Sequence, residues 1–179
     1  MGVDAAALFH VAQIAWLAGL VVPQAMRAAL LPILGQWQDN EEKFISSVEK
    51  SLDLCFGLLP FGLIGGALLI QLLLPVAFPA QYTDGSLGAS ASDLFMILLV
   101  GWCLTLLATP SYTALQAGKN PWMFTIFIAT VVAFATVLGF LLISSLANSP
   151  KYGLYGAAMA STLSSAFLLF ASIHLAKLW

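Results

Sequence analysis

Polar residues in this chain fall into short clusters, and between the clusters apolar residues continue for twenty positions or more. The runs are Ala5 to Leu34, Leu52 to Phe78, Leu94 to Leu115, Trp122 to Ala147 and Gly153 to Leu175. A helix of about 20 apolar residues crosses the ~30 Å hydrocarbon core of a bilayer, so each run has spanning length. In lipid every backbone N–H and C=O needs an internal partner, which helices and closed barrels provide; the alternating ten-residue segments of a barrel do not occur here. The pattern predicts an all-α, polytopic integral membrane protein, with residues 1–179 forming one transmembrane helical domain of five helices.

The connection between the first two runs, GQWQDNEEKFISSVEKS, has its own pattern. Asp39 with Glu42 three residues on is a capping-box arrangement, and Phe44, Val48 and Leu52 repeat at helical spacing. This predicts a short amphipathic helix over about residues 39–51, lying at the inner membrane surface and leading into the second span. Pro23, Pro32, Pro60, Pro75 and Pro110 fall within the spans or near their ends. A proline removes one i to i−4 hydrogen bond and kinks the helix, and neighbouring helices can re-satisfy the freed carbonyl. Gly62 and Gly66 form a GxxxG pair in the second run, and Gly153, Gly156, Ala157, Ala160 and Ser164 a small-residue face on the fifth. Small faces let helices approach closely in lipid.

Composition supports the same class: 61% of residues are hydrophobic and 8% charged, against about 25% charged in soluble domains. The net charge of −2 includes no basic stripe, which argues against nucleic acid as a partner. Alternating the helices puts Arg27, Lys43, Lys50, Lys119 and Lys177 on one side and Lys151 on the other. The loop between the second and third runs carries Asp84 and Asp93 and no basic residue. By the positive-inside rule the N-terminus is expected outside and the C-terminus in the cytoplasm, in a multi-pass protein of the cytoplasmic (inner) membrane. The first run has no Lys or Arg ahead of it and is longer than the apolar region of a signal peptide, so it reads as a true helix. Ala6 stands where an N-myristoylation pattern needs Ser or Thr.

Candidate chemistry is sparse. Cys55 and Cys103 lie in apolar runs as small hydrophobes, and His10 and His174 have no second ligand at i+3 or i+4, so neither a metal nor a cofactor is implied. The acids Asp4, Asp53, Asp84 and Asp93 sit at helix ends or in loops, and no Ser or Cys has a base in its sequence neighbourhood. An enzyme is therefore not expected. Polar side chains within spans are costly and face a neighbour or a wet cavity. On the first run His10, Gln13, Gln24 and Arg27 fall in an arc of roughly 100° at 3.6 residues per turn. On the third, Thr105, Thr109, Tyr112 and Gln116 line up. One reading is a water-filled cavity between these helices, in which Arg27 meets an anionic group of a substrate and Gln13, Gln24, Tyr112 and Gln116 bond its hydroxyls. The other is hydrogen bonding between and within helices, with Arg27 snorkelling to the headgroups.

Several segments, taken in order, resemble one family. These are the helix ALFHVAQIAWLAGLVVPQAMRAALLPIL, the charged connector EEKFISSVEKSLDLCFGLLPFGL with its Leu59–Pro60 step, the loop FPAQY with Tyr82, the turn LQAGKNPWMFT, and PKYGLYGAAMASTLS. The last carries a Y-G-x-x-G-A-A-x-A pattern through Tyr152, Gly153, Gly156, Ala157, Ala158 and Ala160. Together they resemble the polysaccharide exporters and lipid-linked oligosaccharide flippases of the multidrug/oligosaccharidyl-lipid/polysaccharide superfamily. The resemblance implies flipping of a lipid-linked oligosaccharide or polysaccharide precursor across the cytoplasmic membrane, by alternating access of two helix bundles. Members usually have about twelve helices in two halves. These five match the second half, so a missing N-terminal half or a partner membrane chain is expected. Two alternatives stay open. One is a multidrug and toxin extrusion-type exporter, which commonly couples through a buried acid; the other is a structural membrane subunit that transports nothing and packs through the small face of the fifth helix.

Overall fold

The computed structural model describes residues 3–82, 89–146 and 150–176. Its helices are α1 (Val3–Gly19), α2 (Val21–Gln36), α3 (Glu41–Ala77), α4 (Ala91–Ala117), α5 (Pro121–Ser145) and α6 (Pro150–Ala176), with a single 3₁₀ turn at Ala80–Tyr82. The first two combine into one span, Ala6–Gln36, giving five helices long and apolar enough to cross a membrane among the described residues. The chain is an all-α bundle of membrane-length helices. Asp84 and Lys177, which enter the orientation argument, lie outside the described residues.

The first apolar run is interrupted at Leu20, whose N–H is shared between the carbonyls of Trp16 (3.2 Å) and Leu17 (3.1 Å). Pro23 is the cause. It has no N–H to return to Gly19 four residues earlier, so the Gly19 carbonyl is released from the helix ladder. The indole of Trp102 on α4 donates to that carbonyl at 2.7 Å. The same device recurs in α4, where Pro110 releases the carbonyl of Leu106 and the Cys55 thiol of α3 donates to it at 3.3 Å. A kink in one helix is thus completed by a side chain of its neighbour, as lipid requires.

Residues 41–51 are the first turns of α3, continuous with the second span, rather than a separate surface helix. The cap is also one residue later than expected. The Asn40 side chain accepts the Lys43 N–H at 3.1 Å, while Asp39 turns away to Lys119 at 2.8 Å. Two carboxamide or carboxylate caps were available in sequence, and the ion pair removes Asp39 from the competition.

Helix α4 is central: α1, α2, α3 and α6 all pack on it, and α5 packs mainly on α6. Leu94, Leu98 and Leu106 of α4 and Leu154 of α6 are among the fully buried side chains of the core. Close approach depends on small residues, since lipid offers no hydrophobic drive for one helix to prefer another. A Cβ on Gly101 would lie 3.2 Å from the Cα of Thr162 in α6, and one on Gly156 would lie 2.9 Å from the Leu142 carbonyl of α5. The GxxxG pair of α3 faces α4: Gly62 leaves room for the ring of Trp102, and Gly66 for Leu99. At the C-terminal end of α4 a second cluster joins Leu30 and Leu34 of α2 to Ala114 and Ala117, with Phe44 and Val48 of α3 against it.

Candidate functional site

Arg27 of α2 reaches the last turns of α4. Its Nε–H donates to Gln116 Oε1 at 2.9 Å, and its guanidinium carbon lies 5.8 Å from the centroid of the Tyr112 ring, within the range of a cation–π contact. One N–H of the guanidinium is thereby used; the terminal nitrogens carry four more. Among the described residues no carboxylate forms an ion pair with Arg27; the pair present there is Lys119 with Asp39. The arrangement is a positive charge oriented at its root by an amide, backed by an aromatic ring, with a planar donor edge suited to carboxylate or phosphate oxygens.

The connection after α2 locks onto the same end of α4. The Gln38 side chain donates to the Ala117 carbonyl, the Lys43 ammonium lies 4.2 Å from the centroid of the Trp37 ring, and Asp39 meets Lys119 of the α4–α5 turn. Lys119 holds the Asp39 carboxyl below its usual pKa, first by hydrogen bonding and then by its charge.

Of the five candidate residues, three come together: Arg27, Tyr112 and Gln116. Gln13 is half-buried on α1 and Gln24 is exposed on α2; neither has a described bond to Arg27. The single polar face expected along the first run assumed one unbroken helix, and the break at Leu20 ends that register. Between Arg27 and Gln116 the structure has a direct interhelical hydrogen bond, and there α2 packs on α4. The threonines of α4 close on their own helix: Thr109 donates to the Thr105 carbonyl at 2.9 Å and Thr113 to the Thr109 carbonyl at 2.6 Å, while Thr105 also meets Ser165 of α6 at 3.1 Å.

Open space lies elsewhere. Helices α1 and α3 both rest on α4 and leave between them a groove of about 690 Å³, with Ile14, Val22, Phe61 and Leu69 on its walls and Trp102 in its floor. A second groove of about 430 Å³ runs between α1, α5 and α6 past Ala135, Gly139, Ala157 and Ser164. Trp16 borders both, and its indole N–H is enclosed without an acceptor among the described residues. Neither tryptophan stood out in sequence. Pro23 and Pro110 release the carbonyls of Gly19 and Leu106 four residues earlier; that rule was the signal available in sequence for these two positions, and it does not give the helix that supplies the donor. No family model, curated protein or solved structure matches this chain.

Proposed function

We propose that this chain is part of a membrane flippase that moves a lipid-linked oligosaccharide or polysaccharide precursor across the cytoplasmic membrane. In this reading a second bundle, from a preceding half or a partner chain, faces it, and the C-terminal end of α4 lies on the cytoplasmic side. The observation that carries the reading is Arg27, whose guanidinium is oriented by Gln116 and Tyr112 and forms no ion pair among the described residues. An amphiphile with an anionic head fits such a cation at the end of a span. The sequence resemblance supports the sugar-linked class of that amphiphile, and Tyr112 and Gln116 supply hydroxyl-directed hydrogen bonds.

Replacing Arg27 by Ala or by Glu tests this in cells that depend on the chain for polymer export. A charge-assisted hydrogen bond is worth about 1.5–3 kcal/mol, so export falls by about tenfold or more, with Glu the worse of the two. Unchanged export in both variants would show that Arg27 has no part in it. The second groove favours one rival. Its lining of Ala135, Gly139, Ala157 and Ala160 suits a helix of another protein, as in a structural subunit. That rival requires a stoichiometric membrane partner whose loss reproduces the phenotype while the Arg27 variants remain silent.

A further inference from the structure

We infer that α1 is a lever hinged at Leu20, which swings between α3 and α5 while α2 stays fixed. The inference goes beyond the export reading, since no property of a transported molecule enters it.

The hinge lies in the backbone. At Leu20 one N–H is shared between the carbonyls of Trp16 and Leu17, at 3.2 and 3.1 Å. The second is a 3₁₀-type bond, which within a span marks a place of bending. Pro23 leaves Gly19 no ladder bond to lose when the span bends. The Gly19 carbonyl is held instead by Trp102, whose ring is wedged between Gly19 and Gly62 and forms the bearing. Beyond the hinge the two arms differ. Helix α2 is fastened by the Arg27–Gln116 bond and by Leu30 and Leu34, buried with Ala114 and Ala117 of α4, and the connection after it is tied by Gln38 and Asp39. Helix α1 rests on α4 and α6 with the apolar Leu8, Val11 and Ala12 buried. Among the described residues its one hydrogen bond to either helix is the one at Gly19. Apolar contact has no direction, and packed helices joined by it slide in small steps.

Room exists on both sides. The groove of about 690 Å³ separates α1 from α3, and that of about 430 Å³ separates it from α5. A turn of about 15° at Leu20 carries Phe9, roughly 16 Å along the axis, sideways by about 4 Å. The grooves are therefore reciprocal: one narrows as the other widens. Trp16 borders both and gives the swing its direction. Its N–H is enclosed without an acceptor among the described residues, which costs free energy, and the hydroxyls of Ser161 and Ser164 line the groove on the α5 side. Ser164 donates to the Ala160 carbonyl and keeps lone pairs with which to accept. Swung toward α5, Trp16 gains that acceptor.

Disulfide formation reads the swing, because it needs Cα atoms within about 7 Å of each other. Two cysteine pairs are made: Phe9→Cys with Ile143→Cys across the α5-side groove, and Ile14→Cys with Leu69→Cys across the α3-side groove. The native Cys55 and Cys103 are buried. In phosphatidylcholine vesicles under mild oxidation, with the loss of free thiols followed by mass spectrometry, both pairs close. Pro23→Ala completes the ladder across the hinge and slows both about fivefold. Trp16→Phe keeps a ring but removes the donor; it slows the α5-side pair about fivefold and speeds the α3-side pair. A pair that fails to close, or rates that neither substitution alters, would mean that α1 is static. Rates raised for both pairs would mean a general loosening of the bundle rather than a swing. Each of these results overturns the inference. The export reading stands or falls separately, since the Arg27→Glu result bears on none of these rates.

Discussion

Helices α4 and α5 follow each other in sequence, have similar lengths, and meet opposite fates. The most apolar window of α5 has a mean hydropathy of 2.8, and 6% of it is buried within the bundle; for α4 the values are 2.0 and 56%. In water the more apolar helix would be the more enclosed. Lipid removes that drive, because hydrocarbon solvates Leu and Phe as well as a neighbouring helix does. Both helices are rich in small and hydroxyl residues, and what distinguishes α4 is that Gly101, Ala108, Thr109, Ser111, Thr113 and Ala117 are buried, whereas Ala129, Thr130, Ala133 and Thr136 of α5 are exposed. The faces of α5 that carry Ile126, Val132, Val137 and Phe140 are open.

The sharpest way to break this comparison is to enlarge a glycine on each helix. Gly101→Leu drives a side chain into the backbone of α6 at Thr162, and overpacking of that kind costs about 1–3 kcal/mol or more. Because the obstacle is main chain, the upper end is expected, with loss of folded protein in a thermal or SDS titration. Gly139→Leu on α5 meets nothing within 4 Å and should stay within about 0.5 kcal/mol of the parent. Equal costs would show that closeness of approach is not what places α4 at the centre.

The next effect concerns the carbonyls that prolines release. Trp102→Phe keeps a ring in the notch but leaves the Gly19 carbonyl without its donor, a loss of about 1–3 kcal/mol for an enclosed acceptor. Pro23→Ala restores an N–H four residues beyond Gly19. On that background Trp102→Phe should cost less, and a double-mutant cycle reads the difference as a coupling of about 1 kcal/mol. Additive costs would mean that the indole contributes volume alone.

How much of this was legible in sequence follows from the same physics. Spans were readable because a ~30 Å apolar core imposes length and composition on each helix, and their ends agree with the structure to within a few residues except where α3 begins. Burial was not, because hydropathy carries no information about it in lipid. The pairing of Arg27 with Tyr112 and Gln116 was half legible: the sequence offered these residues as polar groups that needed partners, but not that they would choose each other. Gln13 was grouped with Arg27 on an assumed continuous helix, and the bifurcated Leu20 N–H marks where that assumption fails. The expected capping box failed for a local reason, since Asp39 and Asn40 are adjacent candidates and a lysine eighty residues away decided between them.

Hydroxyls give a finer version of the α4–α5 contrast. Thr162 of α6 donates across to the Ile97 carbonyl of α4 at 2.8 Å, whereas Thr136 of α5 bonds only within its own helix among the described residues, to Val132 at 2.9 Å. Thr162→Val should therefore cost about 0.6 kcal/mol, the typical worth of an interhelical bond in a bilayer. Thr136→Val exchanges a self-satisfied hydroxyl for a methyl facing lipid and should be neutral or slightly stabilising. A cost for Thr136→Val equal to that for Thr162→Val would place the value of these hydroxyls in the backbone of each helix rather than between helices.

The smallest expected effect tests how the α4–α5 turn is tethered. Asp39 and Lys119 bridge it to the α2–α3 connection at 2.8 Å, with both side chains largely exposed. Because Lys119 lowers the Asp39 pKa from its usual 3.8, the contribution of the pair is complete above that value and is lost as the pH falls through the lower, folded one. The parent should thus exceed Lys119→Ala slightly in unfolding midpoint near about pH 6, and the two should converge below about pH 3. Screening should shrink the gap on raising the salt toward about 1 M, where the Debye length is about 3 Å. A gap that persists at low pH would assign the difference to the aliphatic stem of Lys119. The pair would then add packing rather than charge at this turn, and α5 would be held to the bundle by its packing on α6 and, to a lesser extent, on α4.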